Sequence, residues 1–155
     1  MIIVNDIIKA IESVAPLNWQ ESYDNAGLQV GGRFQSVSGA VVCLDVTEAV
    51  VDEAISMGYN LIVSHHPLLF KGLKSITGNS YVERIVIKAI QHNIAIYAAH
   101  TNLDNAPEGV SYRMARKLGL TSIRVLDPLC GRLIKLVTYV PSTHVELSLI
   151  HISEP

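Results

Sequence analysis

Ile7, Ile8, Ile11 and Val14 recur at helical spacing behind Asn5, which predicts a first helix capped by Asn5 and stopped by Pro16. Tyr23 to Gly32 is a short apolar stretch broken by glycines and reads as loop. Ala40 to Leu44 is a continuous β-prone run, the pattern of a strand buried on both faces. Thr47 caps a helix that turns Val50, Val51, Ala54 and Ile55 inward and stops at Gly58. The alternation then repeats. Leu61 to Val63 is a strand, His65 to Asn79 a long loop, and Ser80 to Glu83 a capping-box sequence before a helix with Val82, Ile85, Val86, Ala89 and Ile90 on one face. Ile94 to Ala98 is the next strand, and a helix over Glu108 to Leu118 follows Pro107 and ends at Gly119. Ile123 to Leu126 reads as an edge strand. Alternation of this kind predicts an α/β fold, a largely parallel or mixed sheet with helices on both faces.

Composition narrows the picture. A chain of 155 residues, 49% hydrophobic and 17% charged, fits one globular domain with a substantial core. The net charge of -2, with no stripe of Lys and Arg, gives no reason to expect nucleic acid as a partner. The N-terminus carries no basic lead or cleavage site, and no apolar run reaches the roughly 18 residues that span a bilayer, so no membrane partner and a cytoplasmic location are expected. Cys43 and Cys130 form neither a disulfide framework nor a thiolate metal site and read as structural. No Gly-x-x-x-x-Gly-Lys loop is present to cradle phosphates.

The chemistry concentrates at two strand ends. Ser64-His65-His66-Pro67 follows one apolar run, and His100-Thr101-Asn102-Leu103-Asp104 follows another. Ligands of open parallel sheets gather outside the carboxyl ends of strands, so the two clusters can converge. Neighbouring strand residues face opposite ways, so His65 and His66 share a site only once the strand has ended. An imidazole gives one lone pair to one cation, whereas the two oxygens of Asp104 can bridge two. Two histidines and a bridging aspartate therefore suit a centre of two divalent metal ions, and N and O donors favour zinc, iron, manganese or nickel without choosing among them. His100 is either a ligand or, the reading adopted, a group that orients Asp104 or a bound water. Asn102 and Asp45 are further supporting candidates at this sheet edge, with turn-forming and helix-starting roles as their plainer readings. His92 and His144 carry no functional weight.

Taken together, Tyr23-Asp24-Asn25-Ala26-Gly27-Leu28-Gln29-Val30-Gly31, Cys43-Leu44-Asp45-Val46-Thr47, Ile62-Val63-Ser64-His65-His66-Pro67-Leu68 and Ala99-His100-Thr101-Asn102-Leu103-Asp104, in that order, resemble the Nif-three-like family, also called GTP cyclohydrolase 1 type 2 homologues. The resemblance covers residues 1 to about 130. It implies an α/β fold, a dinuclear metal centre and a ring-shaped homo-hexamer whose sites face an internal cavity. It also implies that His65, His66 and Asp104 are the N-terminal metal ligands. The family's remaining ligands, a His and a Glu four residues apart near the end of a longer chain, have no counterpart here: His151 and Glu154 are spaced by three.

The expected division is residues 1–130 as the N-terminal half of the metal-binding α/β domain, 131–146 as the start of a regulatory-protein-like insert, and 147–155 as a non-native tail resembling a translated cloning adapter. The chain is accordingly expected to be a truncated piece, poorly supplied with ligands and inactive alone. The parent reads as a dinuclear metal-binding, hydrolase-like protein acting on a nucleotide or related small molecule. The alternative is a non-enzymatic metal-dependent scaffold or ligand sensor. Phosphoesterases built on an Asp-His-His triplet are disfavoured, because Ser64 stands where their Asp would be.

Overall fold

Strand alternation explains the layering. In the computed structural model, which describes residues 1–125, β1 (Gly27–Val30), β2 (Ala40–Cys43), β3 (Leu61–Ser64) and β4 (Ala95–Ala98) form one sheet in the order β1-β4-β3-β2. The β2, β3 and β4 strands run parallel, and β1 pairs antiparallel with β4. The sheet is thus mixed. Ile62 and Ile96 point to one face, where they pack with Val51 and Ala54 of α2 (Glu48–Met57) and Ile85, Val86 and Ala89 of α3 (Tyr81–Gln91). Leu61, Ala95 and Tyr97 point to the other, against Val4 and Ile8 of α1 (Val4–Val14). Helices cover both faces, as the alternation predicts. Each fully buried aliphatic side chain contributes about 1.5–3 kcal/mol. Residues 1–123 make one compact unit.

Several expectations change. Gly27 to Val30 is a strand rather than loop, because its main chain completes the open edge of β4. Its register slips by one residue between Leu28 and Val30, a bulge at Gln29 that re-aims this side chain. β2 is not buried on both faces: Val42 is 80% exposed, because the apolar cluster under α1 draws on β1, β3 and β4 and stops short of this edge strand. The first helix begins before Asn5. Asp6 Oδ2 accepts the Ile3 N–H at 3.0 Å, so an acid inside the first turn does the capping that Asn5 was expected to do. Pro107 and Glu108 precede the last described helix, α5 (Val110–Lys117), and a single turn, α4 (Thr101–Asp104), comes before it. Residues 123–125 lie in no strand. Leu126, Cys130, His144, the expected insert at 131–146 and the tail at 147–155 fall outside the described residues.

α2 behaves as its sequence predicts. Thr47 Oγ1 accepts from Val50 N at 3.2 Å, and Gly58 ends the helix at φ +69. Ser80 caps α3 in the same way, and Glu83 is clamped by Thr77, Asn79 and Ser80. No described helix is long and apolar enough to cross a membrane.

Candidate metal centre

The parallel ladder carries the histidines to the site. Past β3, His65 N donates to Cys43 O at 3.1 Å and His66 N to Leu44 O at 2.9 Å. Ser64 Oγ donates to His66 O at 2.8 Å, which folds the chain over as the strand ends. Both imidazoles therefore turn to the same place, with ring centroids 5.1 Å apart. At the neighbouring strand end, the His100 ring lies 5.3 Å from His65 and 5.6 Å from His66. Asp104, one helical turn further on, brings Oδ1 to 3.7 Å from His65 Nε2.

Each imidazole has its Nδ1 engaged by an acceptor. His65 Nδ1 faces the Ala99 carbonyl at 2.9 Å, His66 Nδ1 faces Asp45 Oδ1 at 2.7 Å, and His100 Nδ1 faces Asp24 Oδ1 at 2.8 Å. A backbone carbonyl or a carboxylate accepts only from Nδ1–H, so these contacts select the tautomer in which Nε2 keeps its lone pair. Three such lone pairs in one cluster are the donor set a cation requires. Among the described residues, His65, His66 and His100 are the group that can hold a metal ion, with one ligand atom from each lying within 4.8 Å of the others. The residues present fit a divalent metal.

The support beneath the cluster is denser than expected. Asp24 is fully buried as a side chain. Burial pushes its pKa up, but hydrogen bonds from His100, Thr101 and Asn25 outweigh that and hold it below the ordinary carboxylate value. Its Oδ2 takes both the Thr101 N–H, at 3.1 Å, and the Thr101 hydroxyl. Thr101 Oγ1 in turn accepts from Glu21 N at 2.9 Å. Asn102 is wholly buried, accepting the His100 N–H at 2.9 Å and donating to Ala15 O at 2.7 Å, so it fixes the turn that presents His100 and does not enter the cluster.

The six residues singled out in the sequence gather at this edge, with His65, His66, His100 and Asp104 grouped, Asp45 behind His66 and Asn102 beneath His100. Asp24 was missed as a working residue. Its signal was its place in the Tyr23-Asp24-Asn25 stretch, but nothing in the spacing of residue 24 to residue 100 announces their contact. His92 caps the end of α3 away from the cluster and lines a small cleft with Tyr59 and Asn60.

Residues 2–151 match the family model described as Duf34/NIF3 (NGG1p interacting factor 3). A Staphylococcus aureus protein named GTP cyclohydrolase 1 type 2 homolog is 41% identical over 142 residues, 92% of this chain and 38% of the relative. A protein of the same name from Halalkalibacterium halodurans is 43% identical over 141 residues, 90% of this chain and 38% of its own length. The crystal structure of a Bacillus cereus protein related to NIF3 superposes with a TM-score of 0.77 at 41% identity, covering 94% of this chain and 40% of that one. The chain thus spans about 38% of the length of the curated relatives it matches.

Proposed function

This chain belongs to the Duf34/NIF3 family, and from that premise we propose that its imidazole cluster is part of a two-cation centre in a metal-dependent hydrolase. His65 and His66 would each offer one Nε2 lone pair to a cation, and Asp104, with Oδ1 3.7 Å from His65 Nε2, would supply a carboxylate ligand. One observation carries the reading: all three imidazoles are locked through Nδ1 by acceptors, an arrangement that costs freedom and has its use when Nε2 must face a cation. A bound divalent cation supplies Lewis acidity, polarising a substrate oxygen and acidifying water.

The chain's own groups do the positioning. Asp45 holds His66, the Ala99 carbonyl holds His65, and Asp24 holds His100, whose ring shares the cluster and either joins the ligands or orients a water beside them. The substrate class proposed is a nucleotide or related small molecule, in keeping with the name its relatives carry. In the whole protein the centre is completed by a C-terminal His and Glu, and the assembly is a homo-hexameric ring in the cytoplasm. These belong to the same proposal.

The full chain, stripped with chelator and dialysed against zinc, iron, manganese or nickel, is expected to retain metal by elemental analysis and to lose it when His66 is replaced. Retention of metal equal to that of His66→Ala would remove the centre. If metal removal dissolves the assembly and no nucleotide is ever turned over, the scaffold or sensor role takes the place of hydrolysis.

A further inference from the structure

We propose that Phe70 is a stacking platform that makes this centre select ligands in which a flat heteroaromatic ring is joined to an oxyanion. The inference rests on the metal-centre reading above and deepens it.

Within the loop that follows His66, Leu68, Leu69 and Leu73 pack against the core cluster beneath α3. Phe70 does not. Its side chain is left 45% exposed, with its ring centroid 6.4 Å from that of His100 and the two planes at 84°. A single exposed phenylalanine is ordinary when nothing holds it. Here the main chain of the preceding residue is clamped on both sides. Asn25 Nδ2 donates to Leu69 O at 2.5 Å, and Leu69 N donates to Gln29 Oε1 at 2.8 Å. Gln29 sits at the β1 bulge, and its Nε2 donates to the Asn25 main-chain O at 2.6 Å, so one clamping side chain also braces the backbone that carries the other. Two side-chain hydrogen bonds, braced by a third, thus hold this stretch of loop where the aromatic ring borders the His100 imidazole.

A phenyl ring offers no strong hydrogen-bond donor or acceptor, and the partner that covers its flat face most fully is another planar ring, through stacking. The cations call for oxygen donors that carry negative charge, as on a phosphate or carboxylate. A ligand with both parts, an oxyanion for the cations and a planar ring alongside, uses both features. An oxyanion with no ring uses one.

The test compares binding of GTP, which carries a purine, with binding of inorganic triphosphate, which does not, to the zinc-loaded full chain by calorimetry. Zinc content is measured first in each variant. The wild type is expected to bind GTP more tightly than triphosphate. Phe70→Leu should weaken GTP about tenfold and leave triphosphate unchanged, and Phe70→Trp should restore GTP. Equal loss of both ligands, or GTP binding unaltered in Phe70→Leu with zinc in place, overturns the inference alone. So does a change of oligomeric state in Phe70→Leu with GTP binding intact, which would make Phe70 a contact between copies. A wild type that takes up no zinc overturns the centre and this inference with it.

Discussion

His100 Nδ1 lies 2.8 Å from Asp24 Oδ1, so the end of β4 is tied to a loop 76 residues earlier in the chain. The contact joins a buried carboxylate to the imidazole cluster and sets which nitrogen of His100 is free. Asp24→Asn keeps the shape but replaces one acceptor oxygen by an NH2 group, so it no longer satisfies both His100 and Thr101. Metal affinity is expected to fall about 10–100-fold, read by competition with a chromogenic chelator. Unchanged affinity would show that His100 and its support stand apart from the ions.

Removal of the proposed ligands themselves should be more severe. His66→Ala and Asp104→Ala are each expected to lower bound metal per subunit, whereas His92→Ala, at the end of α3, leaves it unchanged. Elemental analysis giving equal metal in all three variants would dismiss the assignment.

Asn102 tests the scaffold rather than the chemistry. Because it is wholly buried and bridges His100 N to Ala15 O, Asn102→Leu strands a donor and an acceptor. A loss of about 1–3 kcal/mol for each abandoned group is expected in urea unfolding. A midpoint matching the wild type would mean that the two groups find other partners.

Gly31 combines a φ of +93 with close approach to β4: a Cβ there would stand 2.8 Å from Ala95 Cα. That contact is with backbone, which cannot swing away. Gly31→Ala is expected to cost about 1–3 kcal/mol, seen as a lower melting temperature with β1 loosened in hydrogen exchange.

Acid should act in part through Glu83. Hydrogen bonds from Thr77, first from its N–H and then from its hydroxyl, and from Ser80 and Asn79 outweigh desolvation and hold its pKa at about 2. A depressed folded-state value stabilises the fold above the unfolded carboxylate range, and that contribution is lost as pH falls from there toward about 2. Glu83→Gln should lower the melting temperature at neutral pH and flatten its fall below pH about 4.5. Parallel acid melting curves in the two proteins would show that the clamp is not pH-linked.

Much of the architecture was legible from local pattern. The helix over Glu48–Met57 was readable because Thr47 and Gly58 cap it by their own chemistry, and the faces of β3 and β4 because alternate side chains must point to opposite layers. β1 was not legible. Its glycines read as turn, and it is a strand because β4 offered an unpaired edge, a partner far along the chain.

The residues alone determined that imidazoles and a carboxylate occur just past two strand ends, since a strand's length and its polar stop are local properties. Only the tertiary structure decided which nitrogen each imidazole presents. That choice depends on Asp24, Asp45 and the Ala99 carbonyl, acceptors brought up by other segments of the chain, and hydrogen-bond partners remote in sequence leave no periodic signal to read.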